Sequence, residues 1–110
     1  MALPVNVTSI QDIQIMSAHL LIHFNAQAEH YPALLQLLTE ASQTLPGQGG
    51  CEHFQLFRSL EQPHALTVLE QWQSREDHAA HFARLEASGG WAHVQSLLAA
   101  APQVHWLQVA

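Results

Sequence analysis

The 110-residue chain has no lysine, three arginines and one cysteine, and charged residues make up only 11% of it. Each shortage excludes something. Phosphate backbones are held by several cationic contacts at once. Three arginines set against nine acidic residues, a formal net charge of −6, argue against nucleic-acid binding and against an anionic membrane surface. The single Cys51 has no partner for an internal disulfide, and it reads as a small apolar residue at a strand start. No apolar run exceeds five residues, whereas a bilayer-spanning helix needs roughly 20. Residues 1–8 lack the basic region and apolar core of a signal peptide. The expectation is a cytoplasmic protein in which the sequon Asn6-Val7-Thr8 has no role.

What is present is apolar: 48% of the residues are hydrophobic. A domain of this size buries roughly two-thirds of its unfolded surface. The charged share lies well below the roughly 25% of an average soluble protein, so part of the surface is expected to lie in an oligomer interface.

Residues 1–14, with Pro4 and scattered polar residues, read as an N-terminal arm or edge strand, and 15–110 as one domain. Ile13 to Phe24 alternates, with Leu20, Ile22 and Phe24 on one face and His19, Leu21 and His23 on the other, as a strand does. Leucines at helical spacing predict a helix over His30 to Leu45, with Pro32 tolerated in its first turn. Pro46-Gly47-Gln48-Gly49-Gly50 stops it. Cys51 to Ser59 is a second strand, with Cys51, His53, Gln55 and Phe57 on one face. After a short turn, His64 to Trp72 is a third strand, apolar on both sides and therefore covered on both. Ser74-Arg75-Glu76-Asp77 caps a helix to Ala87. A second helical piece is expected over Trp91 to Ala100, and a last strand over Gln103 to Val109. The order βαββαβ is the α+β, ferredoxin-like plan, a four-stranded antiparallel sheet with helices on one face. The other face, carrying Ala65, Thr67 and Leu69, is too apolar to be left in water, so a homodimer through that sheet face is expected.

Candidate chemistry collects where the third strand meets the helix. Glu70 shares a face with Leu66, Val68 and Trp72. A carboxylate there must be paired, hydrogen-bonded or protonated, either as a base or partner for a histidine or as a structural tie. Trp72 can stack on a flat substrate and donate one hydrogen bond, or serve as plain core. His78 and His81 stand at i and i+3 on one helix face. His81 is a natural proton acceptor near neutral pH or a packed core histidine; His78 is a neighbouring contact or a solvated one. Nine histidines invite a metal, but no zinc spacing is present. His19 and His23 are roughly 13 Å apart by the strand rise. Cys51 and His53, roughly 7 Å apart by the same rise, make a poor thiolate–imidazole pair.

The run Leu45-Pro46-Gly47, Gly50-Cys51-Glu52-His53-Phe54-Gln55-Leu56-Phe57, then Leu66-Thr67-Val68-Leu69-Glu70-Gln71-Trp72-Gln73-Ser74, then His81, resembles the antibiotic biosynthesis monooxygenase (ABM) superfamily. Among its members the chain is similar to the small bacterial quinol monooxygenases, over roughly residues 18–109. The resemblance implies a dimeric α+β barrel. It also implies oxidation of a small aromatic quinol or phenol by O2 with no metal, flavin or haem. The matching site positions are Glu70, Trp72 and His81. His81 and Glu70 are the catalytic candidates, and Trp72, His78 and His53 the substrate-binding ones. A haem-degrading branch shares the fold. Its ligand pattern would fall on Ile22, His81 and about Gln95, with His93 off register, which disfavours that chemistry. A non-catalytic dimeric small-molecule-binding or stress-associated domain is the alternative.

Overall fold

The computed structural model describes residues 17–110. The expected arm at residues 1–14 and the first residues of the Ile13–Phe24 strand lie outside them. Four strands, β1 (Ala18–Asn25), β2 (Cys51–Arg58), β3 (Ala65–Trp72) and β4 (Gln103–Leu107), form one antiparallel sheet in the order β2-β3-β1-β4. The helices are α1 (Tyr31–Thr44), preceded by a 3-10 turn, α2 (Arg75–Ala87) and α3 (Gly90–Ser96). This is the expected ferredoxin-like plan.

Alternation builds the helix-side face of the sheet. Leu20, Phe24, Leu66 and Val68 are buried there, and Leu34 and Leu38 of α1, one turn apart, close over them. Leu97 and Leu98 complete this core in a different way from that expected. The helical piece ends at Ser96 rather than Ala100, and a turn at Leu97 follows. Leu98 bridges to Ala26, and the backbone N–H of Ala99 donates to the Asn25 carbonyl at 2.8 Å. A short apolar run does not by itself fix a helix, and here the chain pairs with the end of β1. The last strand likewise stops at Leu107 rather than Val109.

Cys51 is also placed differently from the expectation. The register slips between Cys51 and His53, so that Cys51 pairs with Trp72 while His53 pairs with Gln71. The extra residue, Glu52, interrupts the period of two. Cys51 therefore points to the helix side and is buried with Ala18 and Trp72, whereas His53 stays on the outer face. Burial and the charges of Glu70 and Glu52 push the Cys51 thiol up to about 11.

The turn before β2 fixes where α2 begins. Gly50 adopts φ +92°, and a Cβ there would run into the Asp77 carboxylate. Its carbonyl accepts from the Gln73 N–H at 2.8 Å. One residue later Ser74 caps α2, its hydroxyl accepting from the Asp77 N–H at 3.1 Å.

Candidate active site

Helix α2 carries an inward stripe, His78, His81, Phe82 and Leu85, at helical spacing, yet none of its residues is fully buried. The reason is a gap between helix and sheet. A cavity of about 500 Å3 lies there, walled by α1, α2, α3 and the helix-side face of the sheet. Most of its wall is aliphatic or aromatic. The polar groups that reach it include Glu70, His78, His81, Glu40 and Thr44.

At one end Glu70 and Trp72 project from β3. The Trp72 indole N–H donates to a Glu70 carboxylate oxygen at 2.7 Å, and both side chains are buried. Burial pushes the Glu70 carboxyl up from its ordinary value, and the hydrogen bond from Trp72 partly opposes that shift. The Trp72 ring lies 5.1 Å from the His81 ring, centroid to centroid, and 5.3 Å from His78, which it meets edge-on at 81°. Both imidazoles are held below the usual histidine value. Burial is the main cause for each. The charges of His81 and Arg75 add to it at His78, and that of Arg84 at His81. Both are therefore neutral bases near pH 7.

Of the sequence-derived candidates, the fold brings Glu70, Trp72, His78 and His81 together. Glu70, His78 and His81 face the cavity, while Trp72 is completely covered behind them and does not line it. Glu70 makes its hydrogen bond to Trp72 rather than to His81. His78 is not a solvated helix residue: it packs against Trp72, Phe82 and Trp106. His53 lies apart, on the outer face, in a second concavity with Gln55, Leu69 and Gln71. Trp106, a cavity wall that sequence reasoning passed over, carries its own signal: alternation in β4 puts it on the face of Val104, and its partner across the ladder is the buried Leu20. No group of three or more His, Cys, Asp or Glu among the described residues could hold a metal ion.

Residues 17–89 match the family model described as antibiotic biosynthesis monooxygenase. The chain belongs to this family. Solved structures of similar fold include Rv0793 from Mycobacterium tuberculosis, 21% identical over 86% of this chain and 95% of that one, with a TM-score of 0.74. A protein named an antibiotic biosynthesis monooxygenase is 15% identical, covering 84% of this chain and 98% of its own, at a TM-score of 0.74. A conserved protein from Methanosarcina mazei is 17% identical over 91% and 99% of the two chains, at 0.69. Among curated protein sequences none matches this ABM chain. No helix among the described residues is long and apolar enough to cross a membrane.

Proposed function

We propose that this ABM protein is a cofactor-independent monooxygenase that oxidises a small aromatic quinol or phenol with O2 in the cytoplasm. One observation carries the reading: a neutral imidazole, His81, and a buried carboxylate, Glu70, reach into an otherwise apolar cavity of about 500 Å3. That volume suits a drug-sized or smaller ligand.

The chemistry asks little of the protein. His81 accepts the phenolic proton. The electron-rich anion passes an electron to O2, and the two radicals combine to form the new C–O bond. Loss of water leaves the hydroxylated quinone. Quinol plus O2 gives hydroxyquinone plus water, so the substrate supplies all four electrons and no outside reductant enters. The apolar wall excludes water from the anion and orients the ring. Glu70 acts as a positioning residue through Trp72, whose ring backs both imidazoles. His78 contacts the substrate beside His81.

The same reading pairs two subunits through their outer sheet faces. Its support is the exposure of Phe57, Leu69 and Leu107 there. Substrate-dependent oxygen uptake across a panel of quinols, comparing wild type with His81→Ala, tests the activity. Uptake by the wild type that is lost in the variant is expected; equal uptake by both would remove His81 from the mechanism. A non-catalytic binding domain is the second reading, favoured by the complete burial of Trp72, which makes the Glu-x-Trp element a structural tie. Failure of every quinol to drive uptake by the wild type would select it.

A further inference from the structure

We infer that Trp106 is the ring on which an uncharged, flat aromatic ligand of about two fused rings stacks, with Arg75 and His78 holding the indole in place. The inference rests on the inner cavity being the substrate site proposed above.

The chain has three indoles, and two of them, Trp91 and Trp106, line the cavity. Trp72 is fully covered and gives its N–H to Glu70. Trp91 packs edge-on against Phe82, with centroids 5.2 Å apart at 65°. Trp106 lines the cavity and is only half-buried. It projects from β4, a five-residue strand that among the described residues pairs only with β1. Two contacts hold the indole. The Arg75 guanidinium carbon lies over the indole, 4.3 Å from its centroid. The His78 ring meets it nearly perpendicular, at 5.2 Å and 85°. A wall ordered before the ligand arrives loses little entropy on binding.

Charge narrows the ligand class. Glu40 and Glu70 line the cavity, and among the described residues no arginine does. An anionic ligand would shed its hydration there beside two carboxyl groups, and the nearest described cation, Arg75, lies over the indole rather than in the cavity wall. An uncharged ring bearing a hydroxyl loses less, and two fused rings fit the space of about 500 Å3.

Calorimetric titration of the full chain with 2-naphthol and 2-naphthoate at pH 7.5 tests this. The two probes share a shape and differ in charge. Wild type should bind 2-naphthol, and 2-naphthoate roughly tenfold or more weakly. Trp106→Leu, which keeps apolar bulk but removes the ring, should weaken 2-naphthol roughly tenfold. No 2-naphthol binding by wild type, equal binding of 2-naphthoate, or an unchanged affinity in Trp106→Leu would each overturn the inference. A second measurement stands even where Trp106→Leu fails to fold. Of the three indole N–H resonances of the wild type, the one absent in Trp106→Phe should move most when 2-naphthol is added. A larger shift of either other indole overturns the inference. Binding through Trp106 without any quinol-driven oxygen uptake would leave this inference standing and sink the monooxygenase reading. Unimpaired uptake in Trp106→Leu would do the opposite.

Discussion

Trp72 Nε1 donates to the Glu70 carboxylate at 2.7 Å, two positions along β3 on the same buried face. The pair is asymmetric. Removing the donor leaves a buried carboxylate without its partner, while removing the charge leaves the indole with an acceptor. Trp72→Phe is therefore expected to cost about 1–3 kcal/mol for the unsatisfied group, plus the volume lost from a site with no exposed surface. Glu70→Gln, which keeps an acceptor oxygen and removes the charge, should be neutral or stabilising at pH 7. Urea unfolding of the two variants measures both. A Glu70→Gln protein less stable than Trp72→Phe would contradict this account of the pair.

The same environment sets how stability follows pH. His78 and His81 have lowered values in the native state, so below about 6.5 the unfolded chain takes up protons that the native chain refuses. Their contribution is present above that pH and is lost as pH falls. Glu70 has a raised value, which gives the opposite sign: its contribution is present at low pH and is lost as pH rises through its native value. Denaturation midpoints should drop as pH falls below about 6.5, and protonation of Glu70 should oppose that loss. Glu70→Gln should make the acid loss steeper at the low end. His78→Gln combined with His81→Gln should flatten the curve, and a curve unchanged in that double variant would refute the linkage.

Much of this was legible because it is written in local periods. The alternation of Leu66, Val68, Glu70 and Trp72 placed Glu70 and Trp72 on one face, and Ser74 marked the start of α2. Both follow from geometry within a few residues. What escaped depends on contacts between distant elements. Cys51 changed faces because a register slip at Glu52 breaks the period. Leu98 lies outside the helix, where it bridges to Ala26. Trp72 and His81 approach each other, their ring centroids 5.1 Å apart. Which of them meets the cavity depends on how far α2 stands from the sheet, and no spacing in the sequence encodes that distance. Trp106 went unnoticed because β4 is short and its role comes from Arg75 and His78, about thirty residues earlier in the chain.

For the proposed oxidation, the lowered value of His81 predicts an acid limb. kcat/KM should fall as pH drops below the ordinary histidine range, since a protonated imidazole cannot accept the phenolic proton. His81→Ala should lower kcat/KM by roughly 10²–10⁴-fold, the usual share of a general base, with partial rescue by added imidazole. Arg84 contributes to the lowering at His81, so Arg84→Gln should move the limb to higher pH while leaving the plateau rate close to wild type. A limb that does not move in Arg84→Gln would assign the titration to another group.

Gly50 ties the site to the turn that precedes β2. With φ at +92° and the Asp77 carboxylate where a Cβ would sit, Gly50→Ala meets two separate penalties. The backbone strain is of order 1–3 kcal/mol, and the steric conflict adds to it. Asp77→Gly should remove the conflict and leave the strain, so the double variant is expected to recover part of the loss. Strict additivity of the two single variants in a double-mutant cycle would show that the contact carries no energy.

The outer sheet face supplies the last test. Leu69 sits near its centre, paired with Gln55 on β2 and Leu21 on β1, and it is 37% exposed. If two such faces close on each other, a charge at this position would lie unpaired in the seam, at a cost of several kcal/mol. If the face meets water, the same charge is harmless. Leu69→Glu should therefore convert a species of twice the 12.2 kDa chain mass into one of a single chain mass, as read by light scattering. The effect should weaken as pH falls and the new carboxyl takes up a proton, because a neutral acid is far easier to bury than its anion. A wild type that already runs at one chain mass across micromolar concentrations would remove the pairing altogether, and the cavity on the opposite side of the sheet would then have to work within a single subunit.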